Sequence, residues 1–142
     1  MSRASAPGWQ ALRRSRRAQA LAMAACVVVL GLLSRSTAWV VELVGMWPGD
    51  SLWAALVYCL AAAVAPHAPR RAVAAVAVAV SFAVEFQQLL RSPWWVAVRA
   101  TPLGHLLLGS TFHAPDLAAY EVGVLWEALL DRALLSQNTR PD

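Results

Sequence analysis

Residues 84–123 decide how this chain folds, and they read VEFQQLLRSPWWVAVRATPLGHLLLGSTFHAPDLAAYEVG. The stretch joins the end of one apolar segment to the start of the next. One acid, Glu85, lies near the end of the first segment, and another, Asp116, lies at the start of the second. Ionisable residues in or beside hydrophobic spans are rare and usually mark a functional site. The sequence therefore predicts where a site lies, while its ligand or reaction stays open.

The composition is that of a membrane protein. Of the 142 residues 59% are apolar and only 14% are charged, whereas a soluble domain has about 25% charged residues. The formal net charge is +4, and all 12 basic residues are arginines. They collect at the ends of apolar segments rather than along one face, which argues against a nucleic-acid-binding surface. We therefore expect one all-α integral membrane domain and no nucleic-acid partner.

The apolar segments predict a bundle of about four transmembrane helices, within a transmembrane domain at residues 18–135. The expected spans are residues 18–36, 52–65, 72–90 and 115–130. Residues 1–17 form a basic leader, and residues 136–142 form a polar tail. The leader and first span also fit a signal peptide, because S-T-A before Trp39 resembles a cleavage site. We expect the first span to be retained, since the later spans need a partner against which to pack.

The segment between the third and fourth spans carries Trp94 and Trp95, which are typical anchors at a membrane interface. Its middle part, Leu103–Leu108, contains Gly104, is followed by Gly109 and is too short to cross a bilayer. The sequence therefore predicts a re-entrant or interfacial segment on the outer side of the bundle.

The arginines predict the orientation. With the N-terminus inside, nine arginines fall on inner segments, and three, Arg35, Arg91 and Arg99, fall on outer ones. Cytoplasmic loops carry an excess of basic residues. We therefore expect a multi-pass protein of the plasma membrane with both termini in the cytoplasm.

Under this topology the polar residues gather at the outer end of the bundle. The predicted binding cluster there consists of Arg35, Asp50, Glu85, Gln88, Arg99, Thr101, Asp116 and Tyr120. Asp50 also fits the N-cap of its helix, and Asp116 follows Pro115 and also fits a first helical turn, where a carboxylate complements the helix dipole. Glu85 lies near a helix C-terminus, where the dipole disfavours an anion, so we expect it to pair with an arginine.

Helical spacing brings several of these residues onto common faces. Glu85 and Gln88 are three residues apart and share one face of the third helix. Asp116, Tyr120 and Gly123 share one face of the fourth, where the glycine leaves room for a closely packed neighbour.

The other reactive residues form no pattern typical of a metal or cofactor site, so we expect neither. His105 and His113 lie on the same side as the acids, but their spacing matches no compact ligand motif. Cys26 and Cys59 fall inside apolar runs, which is typical of packing residues. Glu121 and Glu127 are expected to face a lumen or the inner interface, with Arg132 as a partner for Glu127.

Several ordered motifs resemble the DUF2809 family of small bacterial inner-membrane proteins of unknown function. They are Arg35, GDSLWA at 49–54, EFQQL at 85–89, Trp94, RATPLG at 99–104, LGSTF at 108–112 and DLAAYEVG at 116–123. The likeness covers roughly Arg35–Leu130. The order E-x-x-Q, Arg, Asp and Gly is more distantly similar to VanZ-like proteins, which are linked to glycopeptide resistance and the cell envelope. Tyr120 stands about where those proteins are expected to have an asparagine.

Together these features predict a protein that binds a polar or anionic lipid, or the headgroup of a lipid-linked envelope precursor, at the outer leaflet. Arginines would hold phosphate there, and the acids would order the arginines. Two alternatives stay open. One is a membrane enzyme acting on such a lipid, with Glu85 or Asp116 as general base. The other is a structural subunit of a membrane complex or a homo-oligomer, because Ala-rich faces favour helix association.

The predicted topology can be tested with reporter fusions. A fusion after Asp131 is expected to report a cytoplasmic location, and labelling within Ser92–Ala97 is expected only from outside. Labelling of Ser92 from the cytoplasmic side alone would contradict the orientation.

Overall fold

The computed structural model describes residues 9–36, 47–109 and 111–137, with side chains at 16–34, 36, 48–109 and 111–134. Within these ranges the chain contains six α-helices and no strand, which confirms the all-α prediction. The helices are α1 (Trp9–Ser36), α2 (Trp47–Val64), α3 (Arg70–Gln87), α4 (Pro93–Arg99), α5 (Pro102–Leu108) and α6 (Ala114–Gln137). The long helix α2 lies at the centre and packs against α1, α3 and α6, while α3 also packs against α6.

Helices α1 and α2 begin at least five residues before the predicted spans. Helix α1 starts at Trp9 and so includes part of the predicted leader. Helix α2 starts at Trp47, which places Asp50 in its first turn rather than at its N-cap. The cap prediction was therefore wrong, because Pro48 suits the start of a helix, where its missing N–H is not needed. A carboxylate in the first turn still complements the helix dipole.

One helical segment in the described residues, Arg16–Ser34 of α1, is long and apolar enough to cross a membrane. Helix α2 holds a shorter apolar stretch, Pro48–Val64. The segment in α1 lies near the N-terminus, where a signal sequence would have the same length and composition. Length and composition therefore indicate one candidate span, and the four-span bundle stays a prediction at this level.

The interior is built from small side chains. Ala54, Ala77 and Ala119 are fully buried, and each comes from a different long helix. Gly123 of α6 faces Ser51 of α2, and a Cβ atom at this glycine would overlap the Ser51 carbonyl oxygen. The prediction that Gly123 allows a close helix contact is thereby confirmed.

A buried polar network ties α1 to the rest of the bundle. The Asp131 carboxylate accepts hydrogen bonds from Arg16 Nη2 and from the Tyr58 hydroxyl, each at 2.9 Å. Arg16 Nη1 also donates to the carbonyl oxygens of Pro66 and Ala68, at 3.1 and 2.7 Å. One guanidinium thus joins α1, α6 and the turn between α2 and α3.

Glu127 has a different partner from the one that the sequence suggests. Its carboxylate accepts a hydrogen bond from Cys59 Sγ at 2.9 Å, and both residues are buried. Arg132 is exposed. The prediction that Glu127 pairs with Arg132 is therefore wrong, because Glu127 lies on the face of α6 that packs against α2. Cys59 fills the interior as expected, and it also supplies a hydrogen-bond donor.

Replacing Asp131 by Asn is expected to destabilise the protein strongly. It leaves the buried Arg16 guanidinium without its carboxylate, and breaking a buried pair in this way costs about 3–5 kcal/mol. Thermal unfolding in lipid nanodiscs measures the effect. The control is Arg132→Ala, the removal of an exposed charge at the next position, which should change stability by less than about 0.5 kcal/mol. Equal melting temperatures for the two variants would contradict the role given to the network.

Candidate functional site

The Glu85 carboxylate lies at the centre of the candidate site and is only 1% exposed. Its Oε2 atom accepts hydrogen bonds from the Tyr120 hydroxyl at 2.8 Å and from Gln88 Nε2 at 3.1 Å. Its Oε1 atom accepts one from the backbone N–H of His113 at 2.6 Å. The carboxylate therefore connects the C-terminal end of α3 to α6 and to the chain just before α6.

Arg99 does not provide the ionic partner expected for Glu85. Its guanidinium donates from Nη1 to the backbone carbonyl of Gln87 at 2.9 Å and to the Gln87 side chain at 3.2 Å. Nη2 donates to the Leu90 carbonyl at 2.8 Å. The last carbonyl groups of a helix lack partners within that helix, so Arg99 caps α3.

The expectation that Glu85 pairs with an arginine is therefore not met among the described side chains. Among the residues whose side chains are described, the ion pairs are those of Asp131 with Arg16 and Arg70, and the donors to Glu85 are uncharged. Three neutral donors satisfy the buried carboxylate instead. The side chain of Arg35 lies outside the described part, so its place in the cluster stays a prediction.

The predicted interfacial segment forms two short helices, α4 and α5, which lie against each other. Thr101 is the N-cap of α5, since its Oγ1 atom accepts a hydrogen bond from the Gly104 N–H at 3.0 Å. Gly104 lies against the Val98 carbonyl oxygen, where a Cβ atom would not fit.

Gly109 ends the segment with a backbone conformation suited to glycine. Its φ is 66° and its ψ is −170°, a combination that costs other residues about 1–3 kcal/mol. A Cβ atom there would also lie 2.6 Å from Gln88 Nε2. Gly109 therefore leaves the space in which the Gln88 amide reaches Glu85.

A cavity of about 970 Å³ lies between the C-terminal end of α3 and the short helices. We call it the basic cavity, because Arg91 and Arg99 are its charged lining residues. Apolar lining is provided by residues that include Leu89, Val96 and Phe112.

A second cavity of about 290 Å³ lies on the other side of Gln88, among α2, α3, α5 and α6. We call it the acidic cavity, because Asp50, Glu85 and Asp116 line it. Residues that line both cavities connect them, and these are Gln88, His105 and Thr111.

The predicted cluster is thus divided between two adjoining spaces. The acidic cavity contains Asp50, Glu85, Gln88, Asp116 and Tyr120, and the basic cavity contains Gln88, Arg99 and Thr101. No group of three or more His, Cys, Asp and Glu side chains that could hold a metal ion occurs among the residues searched in the described ranges.

Sequence reasoning missed two members of the site, Arg91 and Trp53. Trp53 lines the acidic cavity, and its indole Nε1 is buried without an acceptor among the described residues. Its spacing of three residues from Asp50 could have identified it, because the two share a helix face. Arg91 was identified as an outer arginine, but nothing in its spacing indicates a cavity.

A model of the family described as "Protein of unknown function (DUF2809)" matches residues 38–124 of this chain. The match covers more than half of the chain and includes the residues that line the two cavities. No solved structure matches the chain. The more distant similarity to VanZ-like proteins stays a prediction.

A double-mutant cycle tests which partner Glu85 uses. Glu85→Gln and Tyr120→Phe are each expected to lower stability by about 1–3 kcal/mol, because each disrupts a buried hydrogen bond. Their coupling energy should be about 0.5–3 kcal/mol. The matched cycle pairs Glu85→Gln with Arg99→Ala, and it should give a smaller coupling energy. A larger value for the Arg99 cycle would restore the ionic pair that the sequence suggests.

Proposed function

The chain belongs to the DUF2809 family, and we propose that it is a multi-pass membrane protein that binds the polar or anionic headgroup of a lipid or lipid-linked envelope precursor. The observation that carries this proposal is the basic cavity. It combines two arginines with apolar walls at one end of a helical bundle. A phospholipid has the same combination, a charged phosphate beside an apolar chain.

The distribution of side chains supports the four-span bundle. Large apolar residues point outward from the long helices, among them Leu30 and Leu33 of α1 and Leu125 and Trp126 of α6, each more than half exposed. The acids Glu85, Glu127 and Asp131 point inward and are buried. Charged residues in membrane helices face the bundle interior. Helices α3 and α6 thus keep these three acids away from the surface that would meet lipid.

The basic cavity has the chemistry to hold a phosphate group. A guanidinium carries five N–H donors in a planar arrangement that matches phosphate oxygens. Arg99 makes three described hydrogen bonds from two of its nitrogens, so donors remain for a ligand. Arg91 is exposed at the same cavity. Leu89, Val96 and Phe112 offer apolar contacts for the part of a lipid next to its phosphate.

The basic cavity lies at the end of the bundle that is predicted to face outward. The C-terminal end of α3 and the N-terminal end of α6 meet there through Glu85 and Tyr120. The segments at the other end of the bundle carry an excess of arginines, which supports a cytoplasmic location for that end. The proposed ligand would therefore enter from the outer leaflet.

The bonding of Glu85 favours a binding role over general-base catalysis by this residue. A general base needs a free lone pair within reach of the proton that it removes. Three hydrogen bonds from the protein occupy three of the about four lone-pair sites of the Glu85 carboxylate. Its carboxylate holds the site together instead.

Replacing Arg91 by Ala is expected to weaken binding of an anionic phospholipid about tenfold, because a hydrogen bond to a charged group contributes about 1.5–3 kcal/mol. Native mass spectrometry of the protein titrated with phosphatidylglycerol measures the loss. The control is Arg71→Ala, which removes an exposed arginine at the other end of α3. Equal losses in both variants would indicate general attraction to anionic lipid and would contradict the proposed site.

A further inference from the structure

The two cavities carry opposite charges and adjoin each other. Arg91 and Arg99 are the charged residues of the basic cavity, whereas the acidic cavity is lined by three carboxylates. The side chain of Gln88 lines both. A ligand that reaches from one cavity into the other would meet a positive environment at one end and a negative environment at the other.

The Gln88 amide indicates what kind of ligand group suits the acidic cavity. The residue is only 9% exposed, and its Nε2 atom donates to Glu85. Its Oε1 atom is buried and has no hydrogen-bond donor among the described residues. A buried acceptor without a donor is costly. A ligand group that donates hydrogen bonds would satisfy this oxygen.

We propose that the site takes a phosphate ester bearing a primary amine, with the phosphate in the basic cavity and the ammonium group in the acidic cavity. This is the headgroup chemistry of an ethanolamine phospholipid. The inference rests on the proposed function, since it names the ligand class of the same site. It also assigns a role to Asp116, which phosphate binding alone leaves without one.

A primary ammonium group fits the acidic cavity better than a quaternary one. It carries three N–H donors, which can be shared between the Asp116 carboxylate and Gln88 Oε1 at this cavity. A quaternary ammonium has no N–H donor and is usually held by aromatic faces. Trp53 and Tyr120 line the acidic cavity together with two histidines, whereas its carboxylates and the Gln88 oxygen supply acceptors for N–H donors.

The test compares lipids that share a phosphate and differ in the amine. Native mass spectrometry of the wild-type protein, titrated with phosphatidylethanolamine and then with phosphatidylcholine, is expected to show at least tenfold tighter binding of the ethanolamine lipid. Asp116→Asn should bring this ratio close to one. Asp116 lies in the first turn of α6, where losing the negative charge costs about 0.3–1 kcal/mol, so the fold should be retained. The control is Glu121→Gln, an exposed acid on the same helix, which should leave the ratio unchanged.

Competition with soluble compounds separates the headgroup from the lipid chain. Phosphoethanolamine should displace bound ethanolamine lipid more effectively than inorganic phosphate does, because it carries both charged groups. Equal displacement by inorganic phosphate would overturn the role of the amine.

The wild-type comparison distinguishes failure of this inference from failure of the proposed function. Equal binding of the two lipids, together with Arg91-dependent binding of phosphatidylglycerol, would overturn the inference and leave the proposed function standing. Failure of all three lipids to bind would overturn both.

Discussion

The hydrogen bonds of the Glu85 carboxylate are the constraint on which the site depends. An ionisable group this deeply buried is costly unless donors surround it. Tyr120, Gln88 and the His113 N–H supply those donors from α6, from the end of α3 and from the chain between α5 and α6. Each donor fixes one wall of the acidic cavity. The cavity is therefore a consequence of how one acid is satisfied.

At the opposite end of the bundle, the helices are also joined by hydrogen bonds to a buried carboxylate. Asp131 and Arg16 join α1 to α6, while the centre consists of small residues that bring the helices close together. If lipid surrounds the bundle, burying apolar surface between helices contributes little to their association. Close packing and interhelical hydrogen bonds then become the main attractive forces. Polar networks at both ends, with Gly123 allowing close contact between them, suit that environment.

The long helices follow from the sequence because each contains one of the predicted apolar runs, and each run ends beside a proline or a charged residue. The closeness of Gly123 to α2 also follows, since its spacing from Asp116 and Tyr120 places all three on one helix face. The partners of Arg99 and Glu127 could not be predicted in this way. Arg99 reaches α3 because of the path taken by residues 88–98, and Glu127 meets Cys59 because of helix rotation. Neither is encoded in local spacing.

The separation of charge at the site has a structural origin. Arg99 is fixed in the basic cavity because the carbonyl groups at the end of α3 need a donor. Glu85 is fixed in the acidic cavity because α3 and α6 meet around it. Gln88 lies between them and gives its amide N–H to the acid, so its oxygen is left for another donor. Opposite charges are thus held apart by the fold itself, and a ligand that carries both signs can use each of them without breaking the contacts that keep the helices together.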